Sequence, residues 1–159
     1  MRLQDLFDEH AIGIDLHPNS KKQLFQDMAE LLISGPALSG LNIDKQDIVI
    51  AAAERERLGS TGVGHGVALP HARLEGLDRV YAAFARLDTP MDYNAIDDRP
   101  VDLVVMLLAP MEAGGAHLRA LAQISRQLRR EDTRSRLRSA PAIDSLYIAL
   151  TEESQSTAA

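Results

Sequence analysis

Two segments in the first third of the chain place their apolar residues at helical spacing. Ser20 and Gln23 form a capping box, and the run that follows stops at Gly35-Pro36, with apolar positions at Leu24, Met28, Leu31 and Leu32. Because residues three and four apart share one helix face, the pattern predicts an amphipathic helix over residues 21–34. Asp44 opens a second run of the same kind, which predicts a helix over residues 45–57.

Shorter apolar runs in the middle of the chain predict strands. Residues 67–70 and 80–87 are two of them, and residues 101–109 form a third that is almost entirely apolar between Pro100 and Pro110. An unbroken apolar run is typical of a central strand covered on both faces. The short connection from residue 70 to residue 80 favours an antiparallel return over a crossover helix.

Two further helices are predicted towards the C-terminus. Residues 116–130 repeat apolar positions at helical spacing, with His117 in the first turn, and Pro141 opens a last helix whose predicted apolar face contains Ile143, Leu146, Tyr147 and Leu150. The alternation predicts an α/β (mixed α+β) fold. We expect a single domain over residues 1–151, in which a central mixed parallel and antiparallel sheet has helices on both faces, and a flexible polar tail over residues 152–159.

The amino-acid composition excludes or disfavours several classes of function. The 159 residues contain no cysteine, which excludes thiol catalysis and Cys-ligated metals, and only 4% are aromatic, which removes a stacking platform for bases. A net charge of −6 disfavours nucleic acid as a partner. No apolar stretch reaches the ~18 residues of a membrane span and no signal peptide is visible, so we expect a cytoplasmic protein without membrane insertion.

A glycine-rich segment, residues 59–66, follows the second predicted helix. Closely spaced glycines let backbone N–H groups converge on an anion, which makes this segment a candidate phosphate-binding loop. The candidate residues are Gly59, Ser60, Thr61, Gly62, Gly64 and Gly66. The spacing fits neither a P-loop nor a dinucleotide fingerprint, and a simple turn between helix and strand is the alternative.

Three side chains near this loop form a candidate phosphoryl-transfer site. His71 follows Pro70 at the end of a predicted strand, Arg55 lies in the last turn of the helix before the loop, and His117 lies near the free N–H groups of a helix N-terminus. An imidazole nucleophile with cationic and neutral donors suits phosphoryl transfer. A zinc site at His65, His71 and His117 is disfavoured, because Arg55 would repel a cation and no His-Glu-x-x-His helix is present.

The motifs Arg55-Glu56-x-x-Gly-Ser-Thr-Gly-Val-Gly-x-Gly-Val-Ala-Leu-Pro-His71, Pro100-Val-Asp-Leu-Val104 and His117-Leu-x-x-Leu-Ala-x-Ile-Ser-Arg126 carry a resemblance to a known family. The chain resembles the enzyme IIA domain of the phosphoenolpyruvate-dependent phosphotransferase system, fructose/mannitol type. Within that family it is most similar to the stand-alone nitrogen-regulatory branch. The absence of cysteine agrees, since a fused enzyme IIB would bring a phosphorylatable one.

The resemblance implies a phosphotransferase that carries phosphate on a histidine and needs no cofactor or metal. His71 would accept the phosphoryl group at Nε2 from a histidine phosphocarrier of the nitrogen type, with Arg55 and His117 flanking it. Regulatory targets would be proteins such as potassium-transport or sensor-kinase proteins. His65 stands where relatives often carry asparagine. The alternatives are a sugar-transport enzyme IIA that passes phosphate to a separate enzyme IIB, and a module that binds an anion without covalent chemistry.

Overall fold

A computed structural model describes residues 2–153, so most of the predicted tail, residues 154–159, lies outside the described residues. The helices are α1 (Leu3–Leu6), α2 (Lys21–Ser34), α3 (Lys45–Arg57), α4 (Gly115–Leu128), α5 (Glu131–Ser139) and α6 (Ile143–Thr151). The strands are β1 (Phe7–Leu16), β2 (Gly62–Gly64), β3 (Val67–Ala68), β4 (His71–Leu74), β5 (Tyr81–Met91) and β6 (Val101–Pro110). A 3-10 turn, Pro36–Leu38, follows α2.

The six strands form one mixed sheet, with β6 at its centre. On one side β6 pairs antiparallel with β5, which pairs parallel with β1. On the other side β3 and then β4 both pair parallel with β6, and β2 pairs antiparallel with β3. This confirms the predicted mixed sheet. The chain does reverse between β4 and β5, but β6 lies between the two strands.

Alternating side chains of β6 feed two apolar cores, one on each face of the sheet. Val104, Met106 and Leu108 pack with the helices α2 and α3, whereas Leu103, Val105 and Leu107 pack with α1, α4, α5 and α6. A strand whose residues are buried on both faces needs no polar positions, which is why this segment reads as an unbroken apolar run. Helices on both faces are thereby confirmed.

Local capping explains why α2 and α3 match their predicted bounds. The Ser20 side chain accepts a hydrogen bond from the Gln23 N–H, and Asp44 forms a reciprocal capping box with Asp47. The α4 prediction is also confirmed, with ends displaced by one or two residues. In α6 Leu146 and Leu150 are buried as predicted, but Ile143 is 40% exposed, so the expected apolar face is too wide.

The structure adds elements that the hydrophobic pattern did not predict. The strand β1 carries Asp8, Glu9 and Asp15 and lacks strict alternation, while α5 has Leu137 as its one apolar residue. Residues 71–76, which the sequence predicts as part of a connection, begin with β4. The glycine segment, predicted as a loop, contains the three-residue strand β2. Within residues 2–153, no helix has the length and apolar character needed to cross a membrane.

Candidate functional site

The strand β4 presents His71 to solvent beside the central strand. Among the described strands β4 pairs with β6 alone, with His71 opposite Leu107. Ala72 and Leu74 join the core beneath α2 and α3. Because side chains alternate along a strand, His71 and Arg73 project to the opposite face.

Hydrogen bonds assign the two ring nitrogens of His71. Nδ1 lies 2.8 Å from the carbonyl oxygen of Leu69. A carbonyl can only accept, so Nδ1 carries the proton and Nε2 keeps its lone pair. Arg55 Nε donates to that Nε2 across 3.3 Å, which agrees with the assignment. The structure therefore leaves Nε2 as the basic and nucleophilic nitrogen.

Arg55 is held by the loop that follows its own helix. Its Nη1 donates to the Gly59 carbonyl at 3.0 Å, while its Nε reaches His71. The remaining N–H groups of the guanidinium stay available for an anion, since the group has five donors in all. This places a permanent positive charge beside Nε2 of His71.

His117 completes the group from α4, which packs on the face of the sheet opposite α3. Its ring and that of His71 meet edge to face, with centroids 5.5 Å apart and planes at 73°. The side chain lies in the first turn of α4 and is 6% exposed, and its buried Nε2 has no hydrogen-bond partner within the described part of the chain. A buried ring nitrogen without a partner is costly, which is typical of a group kept for a ligand.

Both imidazoles are held neutral near pH 7. Burial lowers the pKa of His71, with Arg55 acting in the same direction, whereas the hydrogen bond to Leu69 and the charge of Glu56 oppose the change. Burial also lowers the pKa of His117 to about 4, and the neighbouring His71 and Arg73 add to the effect. Thus Arg55 supplies the fixed charge of the site, and His117 offers a neutral ring.

A cleft of about 450 Å³ opens around these three residues. Its wall includes Arg73, whose guanidinium also donates to the Met111 carbonyl. Its rim carries Leu58 and Leu118, which are 84% and 68% exposed. Exposed leucines around a polar centre suit a surface that a protein partner covers. Sequence reasoning missed the cleft-lining residues Arg73, Leu58 and Leu118, because none belongs to a recognisable catalytic pattern.

The glycine loop lies beside the site but directs most of its groups elsewhere. Gly59 meets Arg55, whereas the Thr61 and Gly62 N–H groups donate to Glu56 and to the Ser60 hydroxyl. These two amides already have acceptors in the protein.

The far end of the loop contacts another part of the molecule. A Cβ at Gly66 would clash with the Arg138 guanidinium, and one at Gly64 would lie 3.3 Å from the Asp97 carboxylate. Both glycines have positive φ, at +79° and +103°, a backbone region that glycine tolerates best. A role for the loop residues in phosphate binding stays a prediction.

His65 is exposed, and its backbone hydrogen bonds are made with residues other than His71 and His117. Its N–H donates to Asp97, its carbonyl accepts from Arg138, and it adopts φ +58°. Across residues 2–153 the structure groups no three His, Cys, Asp or Glu side chains as a metal site would require.

Glu56, a motif residue to which the sequence assigns no role, has a side chain that is 7% exposed, and its carboxylate accepts hydrogen bonds from Lys21, Thr61 and Tyr93. Burial acts to raise its pKa, but the hydrogen bonds from Lys21 and Thr61 outweigh burial and hold the pKa below its usual range. The signal in the sequence is an acid directly after the site arginine. Its partners are distant in sequence and could not be identified there.

Comparisons with known proteins agree on one family for this chain. The sequence profile described as "Phosphoenolpyruvate-dependent sugar phosphotransferase system, EIIA 2" matches residues 5–153. A nitrogen regulatory protein of Bradyrhizobium diazoefficiens is 43% identical over 150 residues, covering 94% of this chain and 95% of that protein. A nitrogen regulatory protein of Pseudomonas aeruginosa is 40% identical over 147 residues, covering 92% and 93%.

A solved structure shows the same fold. The crystal structure of nitrogen regulatory protein IIA-Ntr from Neisseria meningitidis is similar to this chain with a TM-score of 0.84 and 32% sequence identity. The match covers 94% of this chain and 99% of that one. The similarity therefore extends over both helical layers and the sheet between them.

Proposed function

Because the chain belongs to the nitrogen-regulatory branch of the EIIA type 2 family of the phosphoenolpyruvate-dependent sugar phosphotransferase system, we propose that it is a regulatory phosphohistidine carrier. His71 accepts a phosphoryl group from a nitrogen-type histidine phosphocarrier protein. Partners then respond to the phosphorylation state. The single observation that carries this proposal is the Nδ1 hydrogen bond to the Leu69 carbonyl, which leaves the His71 Nε2 lone pair facing a cleft beside Arg55.

The transfer needs one bond to form and one to break. The Nε2 lone pair of His71 attacks the phosphorus of a phosphohistidine on the donor, and a new P–N bond forms. The old P–N bond breaks, and its electron pair stays on the donor ring. The proton of His71 stays on Nδ1, which donates it to the Leu69 carbonyl throughout, so no general base is required.

The neighbours of His71 stabilise the charge that arrives. Arg55 turns its guanidinium from Nε2 to the phosphoryl oxygens while its Nη1 stays on Gly59. His117 offers its unpartnered Nε2 as a donor to the same oxygens. Phosphoryl transfer depends mostly on positioning and electrostatic stabilisation, which is what these groups provide.

The exposed leucines at the rim support docking of protein partners at this cleft. A phosphoryl group on His71 would add a charge of about −1.5 to −2 beside Leu58 and Leu118. Regulatory targets, such as potassium-transport or sensor-kinase proteins, would therefore distinguish the two forms by contact at this face.

Intact-protein mass spectrometry tests the proposal. The full chain is incubated with phosphoenolpyruvate, enzyme I and a nitrogen-type histidine phosphocarrier, and we expect one acid-labile phosphoryl group. The variant His71→Ala should gain none, while the control His10→Ala, which changes an exposed histidine paired with Asp8, should behave as the parent. Equal phosphorylation of His71→Ala would place the acceptor elsewhere and overturn the assignment.

The same assay separates the alternative functions. Adding a cysteine-bearing enzyme IIB and finding rapid loss of phosphate to it would favour a transport role over a regulatory one. Absence of any covalent phosphate on the parent protein would favour a module that binds an anion without reacting.

A further inference from the structure

Glu56 follows Arg55 in α3, yet its carboxylate lies in a buried network and lines the groove between α2 and α3. Lys21 Nζ donates to it at 2.8 Å, the Thr61 N–H at 3.0 Å and the Tyr93 hydroxyl at 3.2 Å. The Thr61 hydroxyl also donates to the carboxylate, at Oε1, which it shares with Tyr93, whereas Lys21 and the Thr61 N–H donate to Oε2. Both oxygens of the carboxylate are thus used by donors from three separate parts of the chain.

Two more hydrogen bonds continue from this network to the site. The Thr61 carbonyl accepts from the Leu69 N–H at 2.9 Å, and the Leu69 carbonyl accepts from His71 Nδ1 at 2.8 Å. Glu56 therefore fixes Thr61, Thr61 fixes Leu69, and Leu69 fixes the His71 ring. Pro70 follows Leu69 and restricts its backbone, so the carbonyl has few other orientations.

We propose that Glu56 is a positioning residue of the phosphoryl-acceptor site, which acts through Thr61 and Leu69 to hold His71 in the Nδ1–H form. The inference rests on the proposed function, because that tautomer is what leaves Nε2 unprotonated, so that it can attack phosphorus once Arg55 has turned away. Glu56 does not touch the reacting atoms itself. Its effect on transfer is expected through the ring it orients.

The network requires a carboxylate rather than a neutral group of the same shape. The N–H and the hydroxyl of Thr61 donate to different oxygens of Glu56. Glutamine has one acceptor oxygen and an NH₂ group. With its oxygen kept for the Thr61 N–H, the NH₂ would meet the Thr61 and Tyr93 hydroxyls, which would have to turn from donating to accepting. Lys21 would also lose its anionic partner. Glu56→Gln should therefore loosen the Thr61 to Leu69 segment without changing side-chain volume.

The exposed pair Glu30 and Lys45 offers a matched control. It joins α2 to α3 as Glu56 and Lys21 do, at 3.6 Å, but the Glu30 side chain is 61% exposed. In the full chain, ¹H–¹⁵N spectra of the imidazoles report the His71 tautomer, and the mass-spectrometric assay reports the transfer rate. We expect Glu56→Gln to show a mixed tautomer and at least a tenfold slower transfer, and Glu30→Gln to match the parent in both.

Each result bears on the proposal. If the parent is phosphorylated and Glu56→Gln shows the same His71 tautomer and the same transfer rate, the positioning role is overturned. A parent that takes no phosphate would refute the proposed function, while the tautomer would still report whether Glu56 orients the ring. If Glu56→Gln does not fold, Thr61→Val serves in its place, because it removes one hydroxyl of the network. It should show a smaller change in tautomer and transfer rate. Thr61→Ser keeps a hydroxyl and should match the parent. Identical spectra and rates for Thr61→Val and the parent would count against the proposal.

Discussion

Arg55 Nε donates a hydrogen bond to His71 Nε2 at 3.3 Å, across a separation of 16 residues. The arginine thus occupies the lone pair that the proposed transfer uses. A second bond to the Gly59 carbonyl keeps the guanidinium in the cleft. In the proposed mechanism Arg55 would therefore act twice: it holds the ring before transfer and binds phosphoryl oxygens after it.

Replacing Arg55 should slow phosphoryl transfer without abolishing it. A charge-assisted hydrogen bond is worth about 1.5–3 kcal/mol, so Arg55→Ala is expected to reduce the rate or the equilibrium by roughly tenfold to a hundredfold. The measurement is the time course of phosphorylation of the full chain. Arg57→Ala removes an exposed arginine from the same helix turn and should leave the time course unchanged. Unaltered kinetics in Arg55→Ala would remove Arg55 from the proposed mechanism.

Sequence patterns were sufficient where local chemistry decides the structure. The helix bounds of α2 and α3 follow from Ser20 and Asp44 as caps, and the central position of β6 follows from its apolar run. The strand β1 was missed because its exposed acidic positions interrupt the alternation that marks a strand. Its place is fixed by pairing with β5, a contact that no local pattern contains.

The same distinction between local sequence patterns and tertiary contacts applies to the site. His71, Arg55 and His117 were identified from motifs, and the structure brings them together. The network around Glu56 was not identified from motifs, because it depends on Lys21 and Tyr93, which are 35 and 37 positions away along the chain. Hydrogen bonds between such distant residues arise from tertiary packing.

Lowering the pH should destabilise the protein through His117. Its pKa is about 4 in the folded protein and about 6.5 in an unfolded chain. The unfolded state therefore binds the proton first as the pH falls. The contribution of His117 to the free energy of unfolding is fully present above about pH 6.5 and decreases towards pH 4. The loss is on the order of 3 kcal/mol.

Urea unfolding at several pH values measures this effect. His117→Asn should show a shallower loss of stability between pH 6.5 and 4 than the parent, because the titrating group is gone. The control His10→Asn changes an exposed histidine and should keep the parental slope. Equal slopes for the parent and His117→Asn would show that His117 does not carry the pH dependence.

Gly62 is expected to be intolerant of a side chain for steric reasons. A Cβ there would lie 2.6 Å from the Ala95 Cβ and 2.8 Å from its Cα, which is backbone and cannot turn aside. Overpacking of this kind costs about 1–3 kcal/mol, so Gly62→Ala should lower the free energy of unfolding by that amount.

Gly115→Ala is the matched control for this substitution. Its Cβ would meet the flexible end of Arg119, and the position is helical, where alanine is favoured over glycine. Chemical denaturation of both variants compares them directly. Equal stabilities of Gly62→Ala and the parent would mean that the backbone at Ala95 moves at little cost.

Phosphorylation should be sensed locally, as a charge at one place on a rigid sheet. The added charge of about −1.5 to −2 is screened within roughly 8 Å at physiological ionic strength where solvent intervenes. Amide chemical shifts of the two forms should therefore differ in residues 55–75 and around His117. The helix α6 packs against β1, and the strands β6 and β5 lie between it and β4, so its amides should be almost unchanged. Large shifts across residues 143–151 would instead indicate that the sheet transmits a rearrangement, and partners would then be responding to a change of conformation.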